Sequence, residues 1–379
     1  MKISILAPNL SRNNLVRTYP IAKVLQRRYE VEVIGPILGS QIFPPFLDLL
    51  PFKPVHPSKV RFPEYFSTMK KLMKEISGDV IYAFKPRLSS FGVGLLAKLF
   101  TKRPLVLDIE DLDSDYFTSK SFAWKLHQSL RYPHSPLTGT YDCVMEKMVP
   151  LADQRIVVSE FLQKRYGGTR LYHGTDCELF DPTKFDPEIL KDKWGLSNKK
   201  VILFAGTLGP HKGVRELIQA VKRLGAPQIQ VLMVGAVTVG KELEMKLFRD
   251  FAGETLKFLG GKSHRLMPEF LALSDLVVLP QRDTIYANAQ VPGKVFEAMA
   301  MAKPIIATPV SDLPEILSGC ALFIDKSEPG CIAEGIETIF ENNDAATEMG
   351  WMARRKCQEN YSWDAMEKIL FPIFNRYTS

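Results

Sequence analysis

The sequence predicts an α/β protein with two doubly wound domains, each a parallel sheet covered by helices on both faces. Three observations carry that prediction. Short apolar runs alternate with helical segments along the chain; a stretch rich in Pro, Gly and Asn at 176–199 interrupts the alternation; and the openings of the two series, KISILAPNLSRNNLVR at 2–17 and KVILFAGTLGPHKGVR at 200–215, align without gaps. Strands alternating with helices imply parallel sheets buried on both sides. At 379 residues and 46% hydrophobic composition, the chain can bury two ordinary cores.

Each strand rests on a run of apolar residues. In the first series the runs are Lys2 to Ala7, Val31 to Gly35, Val80 to Ala83, Leu105 to Ile109 and Arg155 to Ser159. In the second they are Val201 to Ala205, Gln230 to Gly235, Leu256 to Leu259, Leu276 to Leu279, Pro304 to Thr308 and Ala321 to Ile324. The helix after Gly213 is well marked, because Val214, Leu217, Ile218 and Val221 share one face. Pro182, Pro187, Gly195 and Asn198 make 176–199 the linker, which divides the chain into domains over 1–179 and 180–360. The remaining 361–379 contains YSWDAMEKILFPIFNRY, whose apolar spacing is that of a terminal helix.

Charge is unevenly placed. Of the excess behind the net +7, all is N-terminal: residues 1–180 hold 25 Lys and Arg against 17 Asp and Glu, and before Asp108 the ratio is 17 to 6. Such a block suits either a solvated basic face or an anionic partner. A nucleic acid is disfavoured, since no aromatic-basic recognition motif accompanies the charge. The five cysteines are odd in number and scattered, with no C-x-x-C spacing, which points to reduced thiols and away from a zinc or disulfide framework. Met1 to Ala7 is too short for a signal-peptide core, and no stretch reaches the roughly 18 apolar residues of a spanning helix. A cytoplasmic protein is expected. Residues 43–76 are a candidate contact with the inner face of an anionic membrane: FPPFLDLLPFKPV at 43–55 is very apolar, and Tyr65, Met69, Leu72, Met73 and Ile76 share a face beside Lys70, Lys71 and Lys74. Packing of that helix onto its own sheet is the competing expectation.

Two segments carry chemistry. In ILFAGTLGPHKGVREL at 202–217, an apolar strand ends at Gly206 and a helix begins just past Lys212 and Gly213. Loop amides and the helix N-terminus then point at one spot beside Lys212, an arrangement suited to an anion. In VPGKVFEAMAMAKPIIAT at 291–308, Pro292 suits a first helical turn, Gly293 lets a ligand approach the backbone and Lys294 adds charge. Glu297 stands one turn further on, where a carboxylate can accept hydrogen bonds from two adjacent sugar hydroxyls. Together the two segments describe a clamp for a diphosphate.

These motifs, Gly-x-Leu-x-Pro-x-Lys-Gly followed by Pro-x-Lys-x-x-Glu-x-Met-Ala-x-x-x-Pro, resemble the nucleotide-sugar half of retaining glycosyltransferases of family 4, the group 1 enzymes. The resemblance is strong from Lys200 to Glu315, where LSDLVVLP at 273–280 also fits, and moderate over 153–180 through RIVVSEFLQKRYG and YHGTDCELFDP. Before Asp153 it is architectural. It implies the GT-B fold: an N-terminal acceptor-binding domain facing a C-terminal donor-binding domain across a cleft, with the last helix crossing back onto the first domain.

Carried onto this chain, the resemblance assigns Lys212 and Glu297 the central roles, on the leaving phosphate and the nucleotide ribose. Gly206, Thr207, His211, Gly213, Pro292, Gly293, Lys294 and Val295 line the donor, and Gly260 and Lys262 stand near the base. Two departures accompany it. Thr207 occupies a place where many relatives have an arginine, for which His211, Lys294 or Arg215 are substitutes. Ala289 stands where the family has a glutamate for the donor sugar, leaving Asn288 and Gln290 as nearby polar groups.

On the N-terminal side, the first strand-helix loop, Asn9 to Asn14, lacks the usual glycines, so Ser11, Asn13 and Asn14 would act through side chains. The acidic run DIEDLDSD at 108–115 fails as a calcium loop, because Tyr116 stands where glycine is needed and Phe122 where the bidentate glutamate belongs. It resembles the family's segment after the fourth strand, with Glu110 and Asp111 near the acceptor; a helix-cap cluster is the structural alternative.

The expectation is transfer of a sugar from a nucleotide diphosphate, UDP-linked by preference, to a hydroxyl of a glycan or glycolipid, with retention of configuration. Neither metal nor other cofactor is expected, because the leaving phosphate itself takes the acceptor's proton. A GT-B epimerase of nucleotide sugars and a non-catalytic GT-B partner subunit are the alternatives.

Overall fold

The structure is a computed structural model that describes residues 1–112, 134–206, 209–235 and 255–378. It divides into two compact units, Met1–His173 with Met366–Ser379, and Gly174–Ala365.

In the first unit the strands are β1 (Lys2–Leu6), β2 (Glu30–Pro36), β3 (Phe52–Val55), β4 (Val80–Phe84), β5 (Leu105–Ile109), β6 (Gln154–Val157) and β7 (Thr169–Arg170). They form a parallel sheet in the order β3-β2-β1-β4-β5-β6-β7. β4 and β5 are buried along their whole length, as expected for strands with helices on both faces. The second unit holds β8 (Lys200–Ala205), β9 (Ile229–Val234), β10 (Leu256–Phe258), β11 (Leu276–Leu279), β12 (Ile305–Ala307) and β13 (Leu322–Phe323), parallel in the order β10-β9-β8-β11-β12-β13. Each unit is thus built on a Rossmann-like parallel sheet, as the sequence predicts.

The expected strand runs all fall on observed strands, whereas β3 and β7 were not expected. Both are edge strands. β3 interrupts its apolar run with Pro54, which an edge tolerates because one side of its backbone has no neighbour to bond. In the surrounding 43–76 segment the packing expected as the alternative to membrane contact is present. Phe43, Phe46, Leu49, Leu50 and Val55 are buried, and the helix Tyr65–Glu75 turns Tyr65, Met69 and Leu72 inward, as does Ile76 after it. Most of the apolar side chains singled out in the sequence are thus used in the core, while Leu47 and Phe66 are exposed. Among the described residues no helix is long and apolar enough to cross a membrane.

The 176–199 stretch contains more structure than a linker. Asp186 caps the helix Pro187–Lys193 by accepting from the Glu188 and Ile189 amides, and Leu190 and Leu196 are buried. The helix Val214–Leu224 buries Val214, Leu217, Ile218 and Val221 against β8 and β9, each side chain contributing about 1.5–3 kcal/mol. It stops at Gly225, whose φ of +60° supplies the left-handed cap.

The last helix, Trp363–Asn375, returns to the first unit as the GT-B class requires. There Phe374 stacks on Tyr82 with ring centroids 5.9 Å apart, Phe371 meets the Tyr29 ring edge-on, and the Tyr29 hydroxyl donates to Asn375 at 3.0 Å.

Beneath that contact lies a buried charge cluster. Arg17 is wholly enclosed; its Nε and Nη2 donate to the two carboxylate oxygens of Asp108 at 2.8 and 3.0 Å, and the Tyr82 hydroxyl donates to the same group. Removing one partner leaves the other charged without compensation. Arg17→Met is expected to cost about 3–5 kcal/mol in urea unfolding, and adding Asp108→Leu to it should recover much of the loss.

Candidate active site

β8 runs into Gly206, whose φ of +115° and open surroundings bring bare backbone to the C-terminal edge of the second sheet. Thr207 lies outside the described residues. The chain then turns through Pro210–Lys212, the Lys212 amide donating to the Gly209 carbonyl at 3.0 Å, and Gly213 opens the helix Val214–Leu224. Only glycine fits at 213: φ is +65°, and a Cβ would stand 1.8 Å from the Pro280 carbonyl oxygen. Pro280 follows β11, so the loops leaving β8 and β11 are pressed together where the strand order reverses. Doubly wound sheets receive ligands at such switch points.

Past β11 the chain forms a short helix, Ile285–Ala289, and then passes Pro292 and Gly293 into the helix Lys294–Ala300. Gly293 has an ordinary right-handed φ of −54°, so its missing side chain, not its torsion, is what it offers. The Val295 amide donates to Pro292 O at 3.0 Å and is therefore already engaged by the first turn. Lys294 carries its ammonium 3.6 Å from the centre of the Phe204 ring, a cation held on an aromatic face.

Positive charge is crowded here. Burial brings the Lys212 ammonium down to about 8 from an ordinary 10.5. Burial, and after it the Lys212 charge, hold Lys294 well below its ordinary value, with Glu297 opposing. His211 falls to about 4 through burial and then the two lysines, against a hydrogen bond with Gln290. Its imidazole is thus neutral near pH 7. The ring lies edge-on to Tyr286 at 4.9 Å, and its Nε2 is buried with no hydrogen-bond partner.

Glu297 meets His264 across 33 residues of sequence: Nε2 donates to Oε1 at 2.8 Å, the proton sitting on that nitrogen because a carboxylate only accepts. Its carboxylate keeps further lone pairs for a ligand. His264 was not singled out in the sequence. Its only signal was its place just past the Gly260–Ser263 loop, since its partner lies on a distant helix. Gly260 has a left-handed φ of +68°, and its carbonyl accepts the Gly235 amide at 3.0 Å. Lys262 is placed over the Trp194 ring at 5.8 Å. Asn288 is occupied internally, donating to Asp283 at 2.6 Å and accepting the Ser311 amide at 2.9 Å, while Ala289 is fully buried.

The structure therefore brings Lys212, His211, Lys294 and Glu297 into one group, with His264 added.

In the first unit, Ser11 and Asn13 sit in the loop after β1, where Asn9 Oδ1 accepts the Ser11 amide at 2.9 Å and Ser11 Oγ accepts the Gly39 amide at 3.1 Å. Both Ser11 contacts brace the loop itself. Asn13 contributes its carbonyl to the Val16 amide at 3.0 Å. Glu110 and Asp111 follow β5 and share Lys85, whose Nζ lies 2.5 Å from Asp111 Oδ2 and 3.3 Å from Glu110 Oε1. Burial pushes Glu110 up to about 7, Lys85 pulling the other way and Asp111 adding to the rise. Lys85 itself holds a left-handed φ of +62°, a conformation that costs a non-glycine residue about 1 kcal/mol or more. Among the described residues no group of three or more His, Cys, Asp and Glu side chains is placed to hold a metal ion.

Residues 186–356 match the family described as glycosyl transferases group 1. That stretch, a little under half of the chain, is similar to the sugar-transferring enzymes of that family. An uncharacterised glycosyltransferase of Methanocaldococcus jannaschii is 23% identical over 382 aligned positions, covering 97% of this chain and 92% of that one. Spore coat protein SA of Bacillus subtilis is 24% identical over 238 positions, 58% of this chain and 62% of that protein, which is under two thirds of its length. Among solved structures, Anabaena HepE in complex with UDP and glucose superposes with a TM-score of 0.75 at 19% identity, covering 99% of this chain and all of that one.

Two outcomes are expected of this site. Gly213→Ala should lower stability by about 1–3 kcal/mol in denaturant unfolding, because the β8 and β11 loops must separate to admit the methyl group. A lysine depressed in the folded state contributes stability that is present above its unfolded value and lost as pH falls through its folded value. Lys212→Met should therefore melt above the wild type near neutrality, with the advantage shrinking as pH rises from about 8 to 10.5.

Proposed function

We propose that this glycosyltransferase takes its sugar from a nucleoside diphosphate donor, UDP-linked by preference, and passes it with retained configuration to a hydroxyl of a glycan or glycolipid. The observation that carries the reading is the pair Lys212 and Lys294 at the switch point of a parallel sheet, two ammonium groups depressed by burial, Lys294 also by the Lys212 charge. A doubly charged diphosphate relieves both the burial cost and the mutual repulsion, so the site favours such a ligand over a neutral one. The UDP and glucose bound to Anabaena HepE support the choice of nucleotide.

In this scheme Glu297, oriented by His264, accepts from the ribose hydroxyls, and His211 offers its buried Nε2 to a phosphate or sugar oxygen. As the glycosidic bond lengthens, negative charge grows on the leaving phosphate. Lys212, Lys294 and the backbone around Gly206 and Gly213 meet that charge more strongly than they meet the ground state. The departing phosphate oxygen, on the same face as the incoming hydroxyl, takes the acceptor's proton, which retains configuration without a protein base. No metal is invoked. The acceptor is received by the first unit near Glu110 and Asp111, where a carboxyl group titrating near 7 can donate to or accept from a sugar hydroxyl.

Lys212→Ala is expected to lower turnover about 100-fold or more with the fold intact by circular dichroism. Near-normal turnover in that variant overturns the proposal. UDP affinity measured by calorimetry should weaken as pH rises through about 8, since the anion binds the ammonium form of Lys212 and not the amine. Retention is checked by the anomeric proton coupling of the product, and EDTA should leave the rate unchanged.

A further inference from the structure

The first unit exposes an apolar surface at the end of a helix that the sequence does not mark. The crossovers from β3 to β4 and from β4 to β5 run the same way along the sheet order, so right-handed connections lay the helices Tyr65–Glu75 and Val93–Thr101 on one face, where they pack against each other. Arg103 Nη1 donates to the Ile76 carbonyl at 2.8 Å and ties their C-terminal ends together. The first helix spends Tyr65, Met69 and Leu72 on the core and turns Phe66, Lys70, Lys71 and Lys74 outward. Phe66, Lys70 and Lys74 follow at four-residue intervals and form one stripe. The second helix ends with Leu99 and Phe100, each 72% exposed, the most exposed large apolar side chains among the described residues, and exposed Lys102 follows them.

Single exposed leucines are ordinary on a protein surface. The charge around these is not. Among the described residues Lys70, Lys71, Lys74 and Lys102 make no ion pair, and the only acid on either helix is Glu75. Lys98 alone is answered, by Asp153 at 2.7 Å. The same ammonium donates to the Leu151 carbonyl at 3.0 Å, which brings a further leucine, 52% exposed, to this end of the unit.

We propose that this two-helix face docks on an anionic lipid bilayer, with Leu99 and Phe100 entering the headgroup boundary while Lys70, Lys71, Lys74 and Lys102 meet lipid phosphates. Charge complementarity selects that occupant. A neutral apolar partner would desolvate four lysines without supplying a counter-charge, whereas a bilayer with anionic headgroups offers apolar depth and negative charge in one plane. Lysine stems lie along apolar surface while their ammonium heads stay at headgroup level. The face belongs to the first unit and does not rest on the donor reading, so the two proposals fail separately.

The test is co-sedimentation of the full chain with phosphatidylcholine vesicles, with and without phosphatidylglycerol. Binding should appear with the anionic lipid only and fall as salt is raised, because surface charges are then screened. Lys70→Gln, Lys71→Gln and Lys74→Gln combined should weaken it about 100-fold, at about fivefold for each lysine. Leu99→Gln with Phe100→Gln should weaken it about tenfold or more. Both side chains are exposed, so urea unfolding of that variant should match the wild type. Phe100→Trp keeps charge and apolar character; it should bind like the wild type and shift its emission to the blue on anionic vesicles alone. No sedimentation, equal sedimentation with both vesicles, binding indifferent to the lysine substitutions, or unshifted emission from Phe100→Trp would each overturn the proposal. So would a dimer, seen by light scattering, that Leu99→Gln with Phe100→Gln dissolves while the wild type ignores vesicles, since a second copy of the chain would then be the occupant.

Discussion

The interaction on which the site depends is the crowding of two ammonium groups in a place that compensates neither in full. Lys294 is held over Phe204 and Lys212 at the mouth of a helix; burial makes both charges harder to keep, and the Lys212 charge adds to the cost at Lys294. Such an arrangement costs the empty fold stability. It persists because the surroundings over-determine it: Gly213 locks the β8 loop against Pro280, and Glu297 anchors one turn beyond Lys294 through His264. An anion that fills the gap gains what the unliganded state gave up, which is how a binding site becomes selective for charge before it reads any sugar.

The sheets could be read from the sequence wherever a strand is buried on both faces, because burial on both sides requires a continuous apolar run, as in VIYAF and LVVL. Edge strands β3 and β7 obey a weaker constraint, and Pro54 hides the first of them. The donor-side cluster was legible for a related reason. Lys212, Gly213, Lys294 and Glu297 lie within two short segments whose local geometry, strand to loop to helix, already aims them at one place. What local pattern does not encode is a pairing across the fold. His264 acquires its role only when packing brings its loop against the helix Lys294–Ala300, and Lys85 acquires one only when β4 and β5 lie side by side. The 43–76 segment meets the same limit: an amphipathic face looks alike whether lipid or a neighbouring sheet will cover it, and here Tyr65, Met69 and Leu72 are covered by protein.

The two units deal with buried charge in opposite ways. In the first, Arg17 and Asp108 neutralise each other in a fork of two hydrogen bonds, with Tyr82 closing the arrangement, and Lys85 is answered by two carboxylates. In the second, burial holds the lysines below their ordinary values, Lys294 with Glu297 opposing.

The final helix also has a bearing on how the molecule is made. Phe374 stacks on Tyr82 and Asn375 ties down Tyr29, so the hydrophobic centre of the N-terminal unit is closed by residues that leave the ribosome only after the entire second unit has been synthesised. Vectorial synthesis normally lets the first domain mature first. In this chain the order is inverted: the downstream unit has all of its own strands and helices in hand while the upstream sheet still exposes the apolar surface around Tyr82, and a nascent chain stalled before residue 366 would present that surface to chaperones.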